Sequence, residues 1–162
     1  MSARMRHVVA VGGSAAVIGL LGAAAAALGA KPTATGKKDS GTIHTGEIRA
    51  VGTTLYQAGS VSDTLFGSAA VTFSTTLTLT KPGTVHFTTN TAKLWTPTGT
   101  LAGTVSADIQ LVSATRSIVA NGKLTLTGRS GSEQGHTLVG TFTGSGDPTT
   151  THYVFTYTAT YR

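Results

Sequence analysis

Four of the five histidines, a few carboxylates and a row of aromatic rings are the residues through which this chain could do chemistry. His44, His86, His136 and His152 would suit a metal ion if the fold gathered them. His44 and Glu47 are three apart, which on a strand puts them on opposite faces. His86 and His152 fall on faces that read as outward, so no metal site is expected. Paired carboxylates for acid–base work would be drawn from Asp63, Asp108, Glu133 and Asp147. Asp108 is out of phase with Val105, Ala107 and Ile109 and should point outward, while Asp147 before Pro148 is a turn former. Asp63, beside Leu65 and Phe66, stands at the mouth of a strand and reads as the cap of a turn.

Nucleophile and phosphate motifs are absent. The chain has no Cys, which excludes disulfides, thiolate catalysis and Cys-ligated zinc. There is no Gly-x-Ser-x-Gly elbow between a strand and a helix, and Gly128-Arg-Ser130-Gly131 reads as a turn between strands. The Gly-rich stretch 128–135 lacks both the Lys-Ser/Thr ending and the following helix that a phosphate cradle needs.

What is left is aromatic. Tyr153, Phe155, Tyr157, Ala159 and Tyr161 recur two apart, with His152, Val154, Thr156, Thr158 and Thr160 between them. Side chains alternate across a strand, so one face is a wall of rings and the other is mostly hydroxyls. Such a wall is either ordinary core or the lining of a pocket for a planar or apolar molecule. Tyr153, Phe155, Tyr157, Phe142, Phe73 and Trp95 are the candidate cavity-lining contacts.

The elements that would position these rings are strands. Charged residues are 11% of the chain, against roughly 25% in typical soluble domains, and Thr and Gly take their place. Residues 41–52 read as a first strand whose imperfect period predicts a bulge. Thr53 to Asp63 reads as a short strand and a loop. Residues 68–80 place Ala69, Val71, Phe73, Leu77 and Leu79 on one face. Lys81-Pro-Gly83 is a turn. Val85 and Phe87, then Leu101, Val105, Ala107, Ile109 and Leu111, continue the pattern across a break at Trp95–Gly99. Asn121-Gly122 is the strongest hairpin signal, because both residues tolerate positive φ. Leu124 with Leu126, and Leu138 with Phe142, mark two more strands before Ser145–Pro148 turns the chain into the aromatic one.

No stretch after residue 40 has a helical period. Tight turns predict antiparallel neighbours in up-and-down order. A terminal aromatic strand would be a sticky edge in an open sheet, which favours closure over a sandwich. The expected fold is all-β: a single antiparallel up-and-down β-barrel of about eight strands over 41–162.

Residues 1–30 read as a Sec-type signal peptide: Arg4, Arg6 and His7, an apolar run from Val8, then small residues up to Ala30. The alternative is an uncleaved anchor, since the run is long enough to span a bilayer. Both place the domain outside the cytoplasm, secreted in the first case. Residues 31–40 read as a polar linker. The formal charge is +6; without Arg4 and Arg6, ten Lys/Arg face six Asp/Glu. That surplus is scattered, and nucleic-acid binding is not expected.

Asn121–Gly128, then Gly135-His-Thr-Leu-Val-Gly140-Thr-Phe-Thr-Gly144, then Tyr153–Tyr157, resemble the allene oxide cyclase barrel-like group, which includes dirigent proteins and small secreted bacterial relatives. Gly140-Thr-Phe-Thr-Gly144 and Phe155-Thr-Tyr157 carry the likeness, over the last third of the chain. Residues 128–135 are longer and more polar than the family's Gly-Gly-Thr-Gly turn, and no catalytic carboxylate maps by motif. The resemblance implies an eight-stranded barrel with an apolar cavity, a homo-trimer, and no metal or organic cofactor. It also implies steering of cyclisation or radical coupling.

The leading expectation is an exported barrel that binds or scaffolds a small apolar or aromatic ligand without catalysis or cofactor. The mature domain would need no membrane unless the leader is retained. The alternatives are a cofactor-free cyclase-like or dirigent-like enzyme, in which catalysis is mostly orientation, and a structural cell-envelope protein with a filled interior.

Overall fold

The computed structural model of the protein describes residues 36–162. The leader and the first part of the linker lie outside the described residues. Eight strands follow one another: β1 Lys37–Val51, β2 Thr54–Asp63, β3 Gly67–Lys81, β4 Thr84–Thr96, β5 Gly99–Ser113, β6 Arg116–Gly131, β7 Thr137–Asp147 and β8 His152–Tyr161. Each pairs antiparallel with its neighbour in sequence, and β1 pairs with β8, from Lys37↔Tyr161 to Thr45↔Tyr153, to close a ring. The all-β, antiparallel, up-and-down reading therefore stands, and the aromatic strand has hydrogen-bonded neighbours on both sides.

One face of every strand points inward. Val61, Val71, Phe87, Leu94, Leu101, Val119, Leu126, Leu138, Phe142, Phe155 and Tyr157 are all buried there. The aromatic wall fits because β7 offers glycine opposite it: Gly144 pairs with Phe155 and Gly146 with Tyr153. A Cβ on Gly144 would lie 2.6 Å from Phe155 Cδ1, and one on Gly146 2.4 Å from Tyr153 Cδ1. The rings occupy the space those side chains would need, which is the physical sense of the Gly-rich β7 sequence.

Several expectations need correction. Lys37–Ser40 is not linker: it opens β1 and pairs with β8. Thr54–Asp63 is one continuous strand, not a short strand and a loop. Its inward positions carry Gln57, Gly59 and Asp63 as well as Val61, so the apolar alternation that would reveal it is missing. Asn121-Gly122 is not a hairpin, for it lies inside β6. Asn121 has φ 56° where the pairing with β7 slips between Val119 and Gly122, so its tolerance of positive φ serves a bulge. The bulge expected in β1 is present, between Glu47 and Arg49.

Candidate functional site

The ring has two unlike ends. Turns 64–66 and 97–98 and the loop 132–136 crowd one end, beside the start of β1 and the finish of β8. Turns 52–53, 82–83, 114–115 and 148–151 form the other.

The first end is sealed by two carboxylate clusters. Glu133, on the loop 132–136, is only 2% exposed. Its Oε2 accepts from the Tyr161 hydroxyl at 2.7 Å, and its Oε1 from Thr98 at 2.5 Å, Ser132 at 3.1 Å and Thr96 at 3.4 Å. Burial works against ionising Glu133, but these hydrogen bonds outweigh it and hold the carboxyl below the ordinary glutamate range. Burial, and then the bond to Glu133, pushes the Tyr161 hydroxyl up to about 12. The Tyr161 ring packs edge-on against Phe66, centroids 5.4 Å apart, and stacks on His136 at 4.8 Å.

The second cluster is Asp39, Asp63 and Tyr157. Asp63 Oδ1 accepts the backbone N–H groups of Leu65 and Phe66, each at 2.6 Å, so it caps the 64–66 turn as expected. Its Oδ2 accepts the Tyr157 hydroxyl. Gly41 lies between them, paired with Asp63 on one side and Tyr157 on the other. A Cβ there would sit 2.7 Å from Tyr157 Cε1, so glycine lets the ring cross β1 to reach its acceptor. Burial, and then the Asp63 bond, drives the Tyr157 hydroxyl far above the ordinary phenol range. Asp39 Oδ1 accepts from Thr64 at 3.0 Å, while Oδ2 finds no donor. Burial, and then the neighbouring Asp63 charge, raises the Asp39 carboxyl to about 6.

Between the ends lies an apolar interior in two chambers. The inner one, about 60 Å³, is lined by Ile43, Val71, Val105, Leu124, Phe142 and Tyr157 among others, and no polar atom faces it. The Tyr157 hydroxyl is committed to Asp63 instead. The outer chamber, about 150 Å³, reaches the second end and is lined by Leu55, Gln57, Thr75, Leu77, Ile109, Tyr153 and neighbours. Phe73, Phe87 and Phe155 line both. Leu79 and Leu111, 72% and 49% exposed, stand at that end.

Of the expected cavity-lining residues, Phe73, Phe142, Phe155 and Tyr157 line the inner chamber, and Tyr153, Phe155 and Phe73 the outer. Trp95 does not join them. It is 44% exposed on the outer face, its Nε1 donating to Thr72 Oγ1 at 3.3 Å and Lys93 Nζ 5.8 Å from its ring. The cause is the slip in β4–β5 pairing between Thr89 and Ala92. Val85, Phe87 and Thr89 point inward before it, Ala92 and Leu94 after it, so odd-numbered Trp95 turns outward.

The histidines stand apart. His44 and His152 are exposed, His86 bonds Asp108 at 2.8 Å across β4 and β5, and His136 stacks on Tyr161. Asp147 caps its turn by accepting from Thr149. Asp39 lies in a polar run with no alternation, so the sequence does not single it out; Glu133 is among the candidate acid–base carboxylates, but nothing in the sequence marks it as buried. Comparison with known proteins returns no family model, no curated protein and no solved structure that matches the chain.

Proposed function

We propose that this protein is an exported β-barrel that binds a small apolar or aromatic molecule in its interior without transforming it. The observation that carries this reading is the inner chamber. Its wall of Val, Leu and Phe side chains presents no polar atom, which suits an apolar guest and offers no acid, base or nucleophile to one. The two titratable residues along it are turned away, Tyr157 bonding Asp63 at the sealed end and Lys93 holding its Nζ over the outward Trp95 ring. A cyclase-like or dirigent-like activity, which the family resemblance implies, would have to work by shape alone. A filled structural barrel is disfavoured by the chamber, because a packed interior leaves few voids larger than a water.

Small molecules carried by the protein purified from its native compartment are the direct test, read by mass spectrometry after solvent extraction. An environment-sensitive naphthylamine dye provides the binding assay. Wild type is expected to enhance its emission saturably. Val105→Phe, which fills the inner chamber, should weaken binding about tenfold at unchanged β-sheet circular dichroism. A wild-type protein that neither carries an apolar molecule nor binds the dye would overturn the reading.

A further inference from the structure

The outer chamber differs from the inner one by carrying polar side chains, one of which the fold leaves unpaired. Thr75 is 3% exposed and lines the chamber, yet its Oγ1 has no hydrogen-bond partner. Gln57, 7% exposed, brings a buried amide to the same wall. Their backbones lie on adjacent strands, with Gln57 paired to Phe73 and Leu55 to Thr75. A buried hydroxyl left unpaired costs free energy in the unliganded protein, and a group that bonds it recovers that cost. Both side chains can donate and accept, so both alcohols and carbonyls suit them.

The charge of the occupant also follows. Apart from the Tyr153 phenol, the lining of this chamber holds no ionisable side chain. A carboxylate or ammonium brought here would be desolvated with no counter-charge, at a penalty that a neutral head avoids. The apolar route onward passes Phe73, Phe87 and Phe155, which both chambers share.

Resting on the binding function proposed above, we infer that the ligand is a neutral amphiphile. Its single alcohol, ketone or amide head bonds Thr75 and Gln57 in the outer chamber, and its hydrocarbon body points past the three phenylalanines into the inner one. The open end is thus the end by which the ligand enters, body first.

The test is displacement of the naphthylamine dye by three probes of equal chain length: 1-octanol, octane and octanoate. Octanol is expected to displace it at about tenfold lower free concentration than octane, and octanoate at pH 8 to be the weakest. In a Thr75→Val/Gln57→Leu double variant, octanol should fall to the level of octane when both are compared in the same variant, whatever that variant's own affinity for the dye. The inference is overturned if octane equals octanol in wild type, if octanoate is strongest, or if the double variant keeps the preference for octanol. Failure of the dye itself to bind wild type removes the underlying binding function as well, so the two failures are told apart.

Discussion

At the sealed end Glu133 gathers the hydroxyls of Tyr161, Thr98, Ser132 and Thr96, and Asp63 gathers two backbone amides and the Tyr157 hydroxyl. At the open end Thr75 is equally buried, but its hydroxyl is bonded to nothing, and Leu79 and Leu111 are exposed around it. Threonine hydroxyls are thus spent on closure at one end, whereas at the other Tyr153 accepts from Ser117 Oγ at 3.3 Å and the Thr75 hydroxyl is left unspent. The difference teaches where to look for function: a polar network that, apart from Asp39 Oδ2, satisfies its own members is a plug, and an unpaired hydroxyl facing a cavity is a receptor.

The contrast is broken most directly at Glu133. Glu133→Leu strips an ionised acceptor from four hydroxyls in a buried loop, and a loss of about 3 kcal/mol is expected. Urea unfolding followed by circular dichroism reads it. A loss below about 1 kcal/mol would mean that the loop rests on the ring without sealing it. Tyr157→Phe comes next, at about 2 kcal/mol, because it leaves Asp63 Oδ2 buried without its donor while preserving the ring that lines the inner chamber. Dye affinity should stay within twofold in that variant, which separates the plug from the cavity on the same side chain.

Asp39 sharpens the comparison through pH. Its carboxyl is raised to about 6 in the fold against an ordinary 3.8, so between those values the folded protein holds more proton than the unfolded chain. Stability contributed by this group is therefore present at low pH and lost as pH rises from about 4 through about 6. Asp39→Asn removes the ionisation. It should match wild type near pH 4 and exceed it above pH 7. Thermal melts of the two proteins at both pH values decide it; an equal gap at both would assign the effect to packing instead of charge.

Much of the ring was legible because its inward faces are aliphatic and its turns carry Gly and Pro. The paired faces of β3, β5 and β8 follow from alternation alone, as does the inward position of Phe73, Phe142, Phe155 and Tyr157. Legibility failed where inward residues are polar or small, or where a bulge resets the phase. β2 was obscured by Gln57, Gly59 and Asp63, and these include the very groups that make the two ends differ. Trp95 was misplaced by one extra residue in β4, and Asn121 spends its positive φ inside a strand. The Asp39–Asp63 pair joins residues from β1 and β2 whose register no local pattern reveals.

The smallest expected effect is also the most discriminating, because one substitution should change sign between the two ends. Thr98→Val removes the donor that reaches Glu133 Oε1 at 2.5 Å and should cost about 1 kcal/mol. Thr75→Val removes a hydroxyl that no group bonds, and puts a methyl of nearly the same volume into an apolar wall. Burying a polar group without a partner is unfavourable, so this variant should gain about 1 kcal/mol. Paired urea titrations read both. If Thr75→Val lost stability as Thr98→Val does, its hydroxyl would be a structural group like the others, and the open end would be a second plug.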